Sequence, residues 1–390
     1  MPPASSRTSP SFASPARPLG GLVALVIALV VGCGSRPSPP LPAAATVAPH
    51  HPGGDHGQAL GARPATVAPT KATNQPYQPP RYVELDGLTH RAVTVGTDPW
   101  RLPGTLTLPH GGQPCAGVVL VHGSGPVDQD GTLGPNKPLV DLALGLASRG
   151  IGVLRYAKRT HQHGPAVARQ LGDQLTLEQE TVADAVAATG LLRRSAGIDP
   201  GRVFVLGHSL GGTAIPRIAR GAAAARGFII MAGATLPLED TLVRQLRHLS
   251  LLDGRLSDAE RAIIAKLEAQ AARVKALRPG AAVPPDDLPH GLPAAYWLDL
   301  ARHPPAREIA AVDRPILVLH GDRDFQVTLD DFAGWQRALA GKTNGTLRRY
   351  PDLNHLFMPG TGPSTPTEYL VPGHVAPEVI DDVATWIRRN

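Results

Sequence analysis

The chain has 390 residues, with 38 lysines and arginines against 32 aspartates and glutamates, a formal charge of +6 and two cysteines. That length suits one large α/β domain or two smaller ones; two cysteines exclude a disulfide framework, and so mild a basic excess makes no case for nucleic acid. The sequence holds no phosphate-cradling loop, no dinucleotide fingerprint and no H-E-x-x-H, so neither a cofactor nor a metal is expected.

Residues 1–18 carry Arg7 and Arg17 and no acid, and residues 19–31 are apolar apart from glycine and alanine. This is the order of a secretory signal, and at about 13 residues the apolar run falls short of the roughly 20 that span a bilayer. The segment Val30-Val31-Gly32-Cys33 resembles the lipobox of bacterial lipoproteins, in which small residues precede a cysteine that is lipidated and becomes the mature N-terminus. The resemblance implies an exported protein anchored to a membrane of the bacterial cell envelope through Cys33; an ordinary cleaved signal with an incidental cysteine is the alternative. Loss of Arg7 and Arg17 with residues 1–33 lowers the charge from +6 to +4. Residues 34–80 are rich in Pro, Ala, Gly and Thr without apolar periodicity, which is the composition of a disordered tether. His50, His51 and His56 fall within it and read as solvated linker residues rather than a metal tract.

From residue 81 to 390 the pattern alternates short apolar strands with longer amphipathic segments, as in a mostly parallel sheet flanked by helices. Residues 92–95 and 104–108 read as an opening antiparallel pair, and 116–121 as a buried strand preceded by Cys115. A helix is expected over 136–148, with Pro138 in its first turn and Gly150 beyond its end, then a strand at 151–154. Thr176 and Gln179 suggest a capping box for a helix reaching Arg194, with Val182, Val186 and Leu191 on its inner face. Strands follow at 203–206 and 228–231. Between about 234 and 310 the alternation gives way to charged helical sequence, expected to be a cap inserted over the sheet; Ser257 and Glu260 form a second capping box, and Ile263, Leu267, Ala271, Val274 and Leu277 mark one helix face. The alternation resumes with strand 316–319, helix 330–340, strand 346–350 and a last helix from about Pro377.

The most informative residues follow the strand at 203–206: Gly207-His208-Ser209-Leu210-Gly211, a G-x-S-x-G elbow that exposes a serine between a strand and a helix. A serine hydroxyl needs a histidine to take its proton and a carboxylate to orient that histidine, in the chain order serine, acid, histidine on such a fold. The loop after strand 316–319 supplies Asp322 and Asp324, and the loop after strand 346–350 supplies His355. Asp324 lies deeper in its loop and is preferred, with Asp322 bracing the turn; Glu239 or Asp240, after the preceding strand, are the fallback. His355 has the bland alternative of serving only loop hydrogen bonds. The oxyanion of an acyl-transfer intermediate needs two backbone donors, assigned to the N–H groups of Leu210 and Ser124, the latter in the glycine-rich loop 122–125. Asp128-Gln129-Asp130 reads either as the lip of the site or as a solvated turn, and His161 and His163 lack a partner at metal-ligand spacing.

Leu120-Val121-His122-Gly123-Ser124-Gly125-Pro126, continuing through Gly134-Pro135-Asn136-Lys137-Pro138 and Val153-Leu154-Arg155-Tyr156, resembles the bacterial α/β-hydrolase serine carboxylesterases, as do residues 321–327 and 350–358. The resemblance runs from about residue 85 to the C-terminus and implies an α/β-hydrolase fold with a cap, and a Ser209, Asp324, His355 triad acting on small-molecule acyl esters of short to medium chain. Relatives often carry an aspartate where this chain has Ala157. Thioester or amide hydrolysis, acyl transfer, or a non-catalytic binding protein on the same scaffold are the alternatives. Acyl-chain length and oligomeric state stay open at this level.

Overall fold

The computed structural model describes residues 77–111 and 113–390. The expected signal, Cys33 and residues 34–76 of the expected tether lie outside the described residues. The packed region begins before residue 81. The Tyr77 hydroxyl donates to the buried Asp141 carboxylate at 2.6 Å, and Pro80 is itself buried, so residues 77–80 are seated on the domain.

Among the described residues the strands are β1 (Thr89–Val95), β2 (Leu102–Leu108), β3 (Cys115–Val121), β4 (Gly152–Tyr156), β5 (Ile198–His208), β6 (Gly227–Met231), β7 (Ile316–Gly321) and β8 (Gly345–Tyr350). They form one eight-stranded sheet in the order β1-β2-β4-β3-β5-β6-β7-β8. The β1/β2 and β2/β4 pairs are antiparallel and the remaining pairs parallel. The helices, in chain order, are α1 (Pro138–Ala147), α2 (Arg159–Gln170), α3 (Ala183–Arg193), α4 (Leu210–Thr213), α5 (Ile215–Gly221), α6 (Leu238–Ser250), α7 (Asp258–Ala276), α8 (Ala294–Arg302), α9 (Pro305–Glu308), α10 (Leu329–Ala338) and α11 (Pro377–Arg389).

The central strands are apolar without interruption because both faces of the sheet are covered. Successive side chains point to opposite faces, and the core divides accordingly. Val203, Val205, Ile230 and Val318 pack with α3, α5 and α10 through Ala188, Leu192, Ile218 and Trp335. Phe204, Leu206, Ile229 and Leu319 pack on the other face with α1 and α11 through Leu142, Leu146, Ile380 and Val383.

Two expected helix faces are turned to the core, with differences at their edges. The segment after Thr176 opens with a π-helical turn at Glu178–Val182 before α3 begins. Val182, Ala185, Ala188 and Leu192 are buried, and Val186 and Leu191 are partly buried against the same core. Thr176 N–H still donates to Gln179 Oε1 at 2.9 Å, which is one half of the expected box. In α7 the Ser257/Glu260 box is complete, but Ile264 rather than Ile263 faces inward; Ile263 is 44% exposed. Spacings of three and four are both helical, so the pattern alone did not choose between them. Helix α2 was not expected from the sequence, because Gly164 and Pro165 interrupt it and its backbone kinks at His163.

Helices α6 to α9 occupy the connection between β6 and β7. They hold a small core of their own, in which Leu242, Val274, Leu277 and Leu288 surround Trp297. Asp331, the fully buried carboxylate in the first turn of α10, fixes where this segment leaves the sheet. It accepts the backbone N–H groups of Thr235 and Leu236 at 2.9 Å each and the Arg244 guanidinium at 2.9 Å.

Phe204 is fully buried, with its ring edge-on to Trp386 at 5.7 Å. Phe204→Ala is expected to destabilise the fold by about 3–5 kcal/mol, read as a lowered midpoint in urea unfolding; a loss below about 1 kcal/mol would mean that the two helices collapse into the gap.

Candidate active site

The elbow is built from glycine contacts. Ser209 has φ +56° and ψ −121°, a conformation that non-glycine residues rarely adopt, and it sits between the end of β5 and the first turn of α4. A Cβ on Gly207 would lie 2.2 Å from Gly211 O, and one on Gly211 would lie 2.5 Å from His122 O and 2.6 Å from Val121 O. Both positions are closed to any side chain, since real Cβ atoms do not approach backbone oxygens so closely. The turn is also stitched to β6, because Ser209 N–H donates to Met231 O at 2.9 Å. Leu210 is the first residue of α4, so its N–H has no intrahelical acceptor.

The histidine and its carboxylate come from the next two strands. Asp324, after β7, and His355, after β8, are each 4% exposed, and His355 Nδ1 lies 2.6 Å from Asp324 Oδ2. The other carboxylate oxygen accepts the N–H groups of Gln326 at 2.8 Å and Val327 at 2.9 Å, so the carboxylate cannot rotate. With the Nδ1 proton held by Asp324, the lone pair of His355 is on Nε2. Asp322 is not part of this pair. It makes a two-pronged ion pair with Arg349 of β8 at 2.7 and 2.8 Å, bracing the strand end. Asp240 pairs with Lys275 at 2.5 Å within the cap, and Glu239, whose carboxyl pKa burial raises, borders a cavity without contacting His355.

His355 itself is held on its loop by Asn354, whose side-chain oxygen accepts from Leu356 N–H at 3.0 Å and Met358 N–H at 3.2 Å. His208, the residue before Ser209, donates from Nε2 to His355 O at 2.9 Å. Burial, and then the nearby His355, lower the His208 pKa to about 4. It is therefore neutral at neutral pH and acts as a hydrogen-bond donor rather than a rival base.

The loop after β3 completes the constellation. A Cβ built on Gly123 would lie 3.2 Å from Ser209 Cβ and 3.6 Å from Ser209 Oγ, so the loop backbone closes directly over the serine. Lys158 Nζ donates to Gly123 O at 2.8 Å. A trans peptide points its C=O and N–H in opposite directions, so a lysine holding the Gly123 carbonyl also sets the direction of the Ser124 N–H. Lys158 is 1% exposed and pairs with Glu180 at 2.7 Å, and Glu180 accepts from the Tyr296 hydroxyl of α8 at 2.5 Å. None of these three was singled out for a role at sequence level. Lys158 stood in the segment noted for its alanine at 157, but Glu180 and Tyr296 lie 116 residues apart and carry no motif. Ala157 contributes its backbone, donating to Pro103 O at 2.8 Å.

Two cavities meet at Ser209. A large one of about 300 Å³ is bordered by Ser209, Ser124, Leu210 and Gln326 and runs beneath the cap. A small one of about 80 Å³ shares Ser209, Ser124 and Gln326 and contains His355. Asp128 and Asp130 brace the turn bordering the small cavity rather than entering it. Asp128 accepts from Thr132 N–H at 2.9 Å and Thr132 Oγ1 at 2.7 Å, and Asp130 pairs with Lys137 at 2.8 Å and with Arg155. His163 is likewise structural, with Nε2 2.8 Å from Arg101 O.

A mostly parallel sheet, a strand-to-helix elbow after β5, and acid and histidine loops after β7 and β8 define an α/β-hydrolase. The family model described as the alpha/beta hydrolase family matches residues 118–370, and the chain belongs to that family. It is similar to Esterase EstD of Thermotoga maritima, at 40% identity over 319 residues, 81% of this chain and 72% of that protein. Among solved structures it is similar to the Pyrococcus furiosus esterase Pf2001, with a TM-score of 0.50 at 15% identity over 81% of this chain and 98% of that one, a likeness of fold.

Lys158→Met is expected to lower kcat for a short ester by about 10-fold or more while KM changes little, because one oxyanion donor is worth about 10²–10³ in rate and this change misdirects a donor without removing it. Lys158→Arg, which keeps the charge and a donor, should recover part of the loss. Equal loss in both variants, with KM rising in step, would assign Lys158 to stability alone.

Proposed function

We propose that the protein is a carboxylesterase-type hydrolase that cleaves carboxylic esters through an acyl-enzyme on Ser209. The observation that carries this reading is the placement of Ser209, on its glycine-packed elbow, in one cavity with His355, whose Nδ1 is tied to Asp324 at 2.6 Å. His355 Nε2 takes the Ser209 proton as Oγ attacks the ester carbonyl. Asp324 holds the ring in the productive tautomer and stabilises the imidazolium that forms. The N–H groups of Leu210 and Ser124 stabilise the oxyanion of the tetrahedral intermediate. Collapse of that intermediate breaks the bond to the alcohol oxygen, which takes the proton back from His355. Water, activated by the same histidine, then releases the acid. Likeness to an esterase at 40% identity supports an ester substrate over a thioester or amide. The full chain is expected to hydrolyse p-nitrophenyl butyrate, and Ser209→Ala to lose at least about 10³-fold in kcat. Equal rates in the two proteins would overturn the assignment.

We also propose that the chain is exported and tethered to a membrane of the bacterial cell envelope by a lipid on Cys33. Support comes from Arg7 and Arg17 ahead of the apolar residues 19–31, from the small residues before Cys33, and from the Pro- and Ala-rich sequence that joins it to the packed domain. Cys33→Ala removes the site of lipid attachment, so it should move the protein from the membrane fraction to the soluble fraction of expressing cells. Retention of that variant in the membrane fraction would point to an uncleaved apolar segment as the anchor.

A further inference from the structure

We infer that Glu368 is a positioning residue for the hydrolytic site: its carboxylate bridges the residue before Asp324 to the residue before His355 and so fixes the spacing of that pair. The inference rests on the reading of Ser209, Asp324 and His355 above, and adds a residue that touches none of the three.

Each oxygen of the carboxylate holds a different loop. Arg323, directly before Asp324, donates from Nη2 to Glu368 Oε1. Asn354, directly before His355, donates from Nδ2 to Glu368 Oε2 at 3.0 Å. Neither arm ends in a loose surface group. The Arg323 guanidinium is buried, with Nε donating to Gly362 O at 2.7 Å and Nη2 to Thr361 O at 3.2 Å, and Nη1 fills the space that a Cβ on Gly360 would take. Asn354 is buried, and its side-chain oxygen holds the turn around His355 through Leu356 and Met358. The two backbones meet as well, since Arg323 N–H donates to Leu353 O at 3.0 Å. The loops are thus joined one residue ahead of each reacting side chain, and the 2.6 Å contact between His355 Nδ1 and Asp324 Oδ2 depends on the spacing set there.

Glu368 has a seat of its own on the short helix Pro366–Leu370. The adjacent Tyr369 is fully buried; its hydroxyl accepts from Gln326 Nε2 at 3.0 Å, and its ring stacks on Phe325 with centroids 6.3 Å apart. Residues 368 and 369 therefore grip the Asp324 loop on both sides of the carboxylate, at 323, 325 and 326. Asn136, from the segment Gly134-Pro135-Asn136-Lys137-Pro138, anchors the helix in turn. Its Nδ2 donates to Tyr369 O at 2.9 Å, and its Oδ1 accepts from Gly373 N–H at 2.8 Å.

The bridge requires a carboxylate. Both partners donate, so the group between them needs an acceptor on each side, and its charge offsets a guanidinium that has no other ion-pair partner among the described residues. Glutamine has the same shape but one acceptor oxygen, so it keeps one arm and turns an N–H against the other donor. Deleting the side chain would leave a buried charge unpaired and endanger folding. Glu368→Gln avoids that, and Arg323→Met removes one arm together with its charge.

The full chain is assayed on p-nitrophenyl butyrate, with rates taken per site titrated by a fluorophosphonate so that unfolded protein is not counted. A misplacement of about 1 Å can cost about 10²-fold in rate, so Glu368→Gln, which keeps the bulk, is expected to lower kcat by about 10-fold or more with KM within about 2-fold. The far-downfield proton NMR signal of the His355 Nδ1–H should shift or broaden in the same variant. Arg323→Met should lower kcat similarly, and the double variant should lose no more than the larger single loss, because both changes break one bridge. Asp322→Asn, which removes the exposed ion pair to Arg349 between the same two strand ends, should leave kcat within about 2-fold. Unchanged kcat and NMR signal in Glu368→Gln, additive losses in the double variant, or an equal loss from Asp322→Asn would overturn the bridge while leaving ester hydrolysis intact. Absence of turnover by the unsubstituted protein would overturn the hydrolase reading itself.

Discussion

The site depends first on a backbone constraint: Ser209 is held at φ +56° by a turn so tight that the positions two residues to either side, 207 and 211, can only be glycine. A non-glycine residue in such a conformation carries strain of about 1–3 kcal/mol, and it persists only where surrounding structure leaves no alternative. Here the surroundings are the ends of two neighbouring strands. Gly211 packs on the last carbonyls of β3, and Ser209 N–H is bonded to the end of β6. The position of the hydroxyl is therefore set by the sheet itself. The loops after β7 and β8 approach the same edge because parallel strands all finish there, which is how Ser209 and His355, more than 100 positions apart, come to line one cavity.

A second constraint is electrostatic. Lys158, Glu180 and Tyr296 form a buried chain from the Gly123 carbonyl to the cap helix α8. Burying a lysine and a glutamate has a desolvation cost of several kcal/mol per ion, recovered only when geometry is good and the remaining polar atoms are satisfied. These groups meet that condition, and the pair does something an apolar replacement would not: it orients a peptide directly beside Ser209. Because Tyr296 belongs to the cap, the position of the cap and the direction of the Ser124 N–H are mechanically connected. Arg217 on α5 and Asp299 on α8 add an ionic link between body and cap.

The two spaces around Ser209 owe their sizes to different kinds of structure. The small one is enclosed by a short turn braced through carboxylates close in sequence to their partners, as with Asp128 and Thr132. The large one is enclosed by the segment between β6 and β7, whose own core around Trp297 lets it stand over the sheet as a roof. The walls of both spaces thus belong mainly to connections rather than to strands, as expected where a sheet serves as a rigid scaffold.

Much of this was legible in the sequence. Short uninterrupted apolar runs bounded by turn residues read as strands covered on both faces, and the order of a serine after one such run, then an acid and a histidine after later ones, was visible in the chain. Local chemistry sufficed for the Ser257 cap of α7 and for the preference for Asp324, the deeper of the two carboxylates. The inner faces of α3 and α7 were legible except at their edges, where Val186 and Leu191 are only partly covered and Ile264 rather than Ile263 is buried, because spacings of three and four fit the helical period equally well. What only the tertiary structure decided were contacts between distant segments: Lys158 on the Gly123 carbonyl, Tyr296 on Glu180, and the unequal cavities on either side of Ser209. Their partners lie 35 to 116 residues apart, and a cavity is bounded by surfaces from separate elements, so neither leaves a periodicity or a motif for the chain to display.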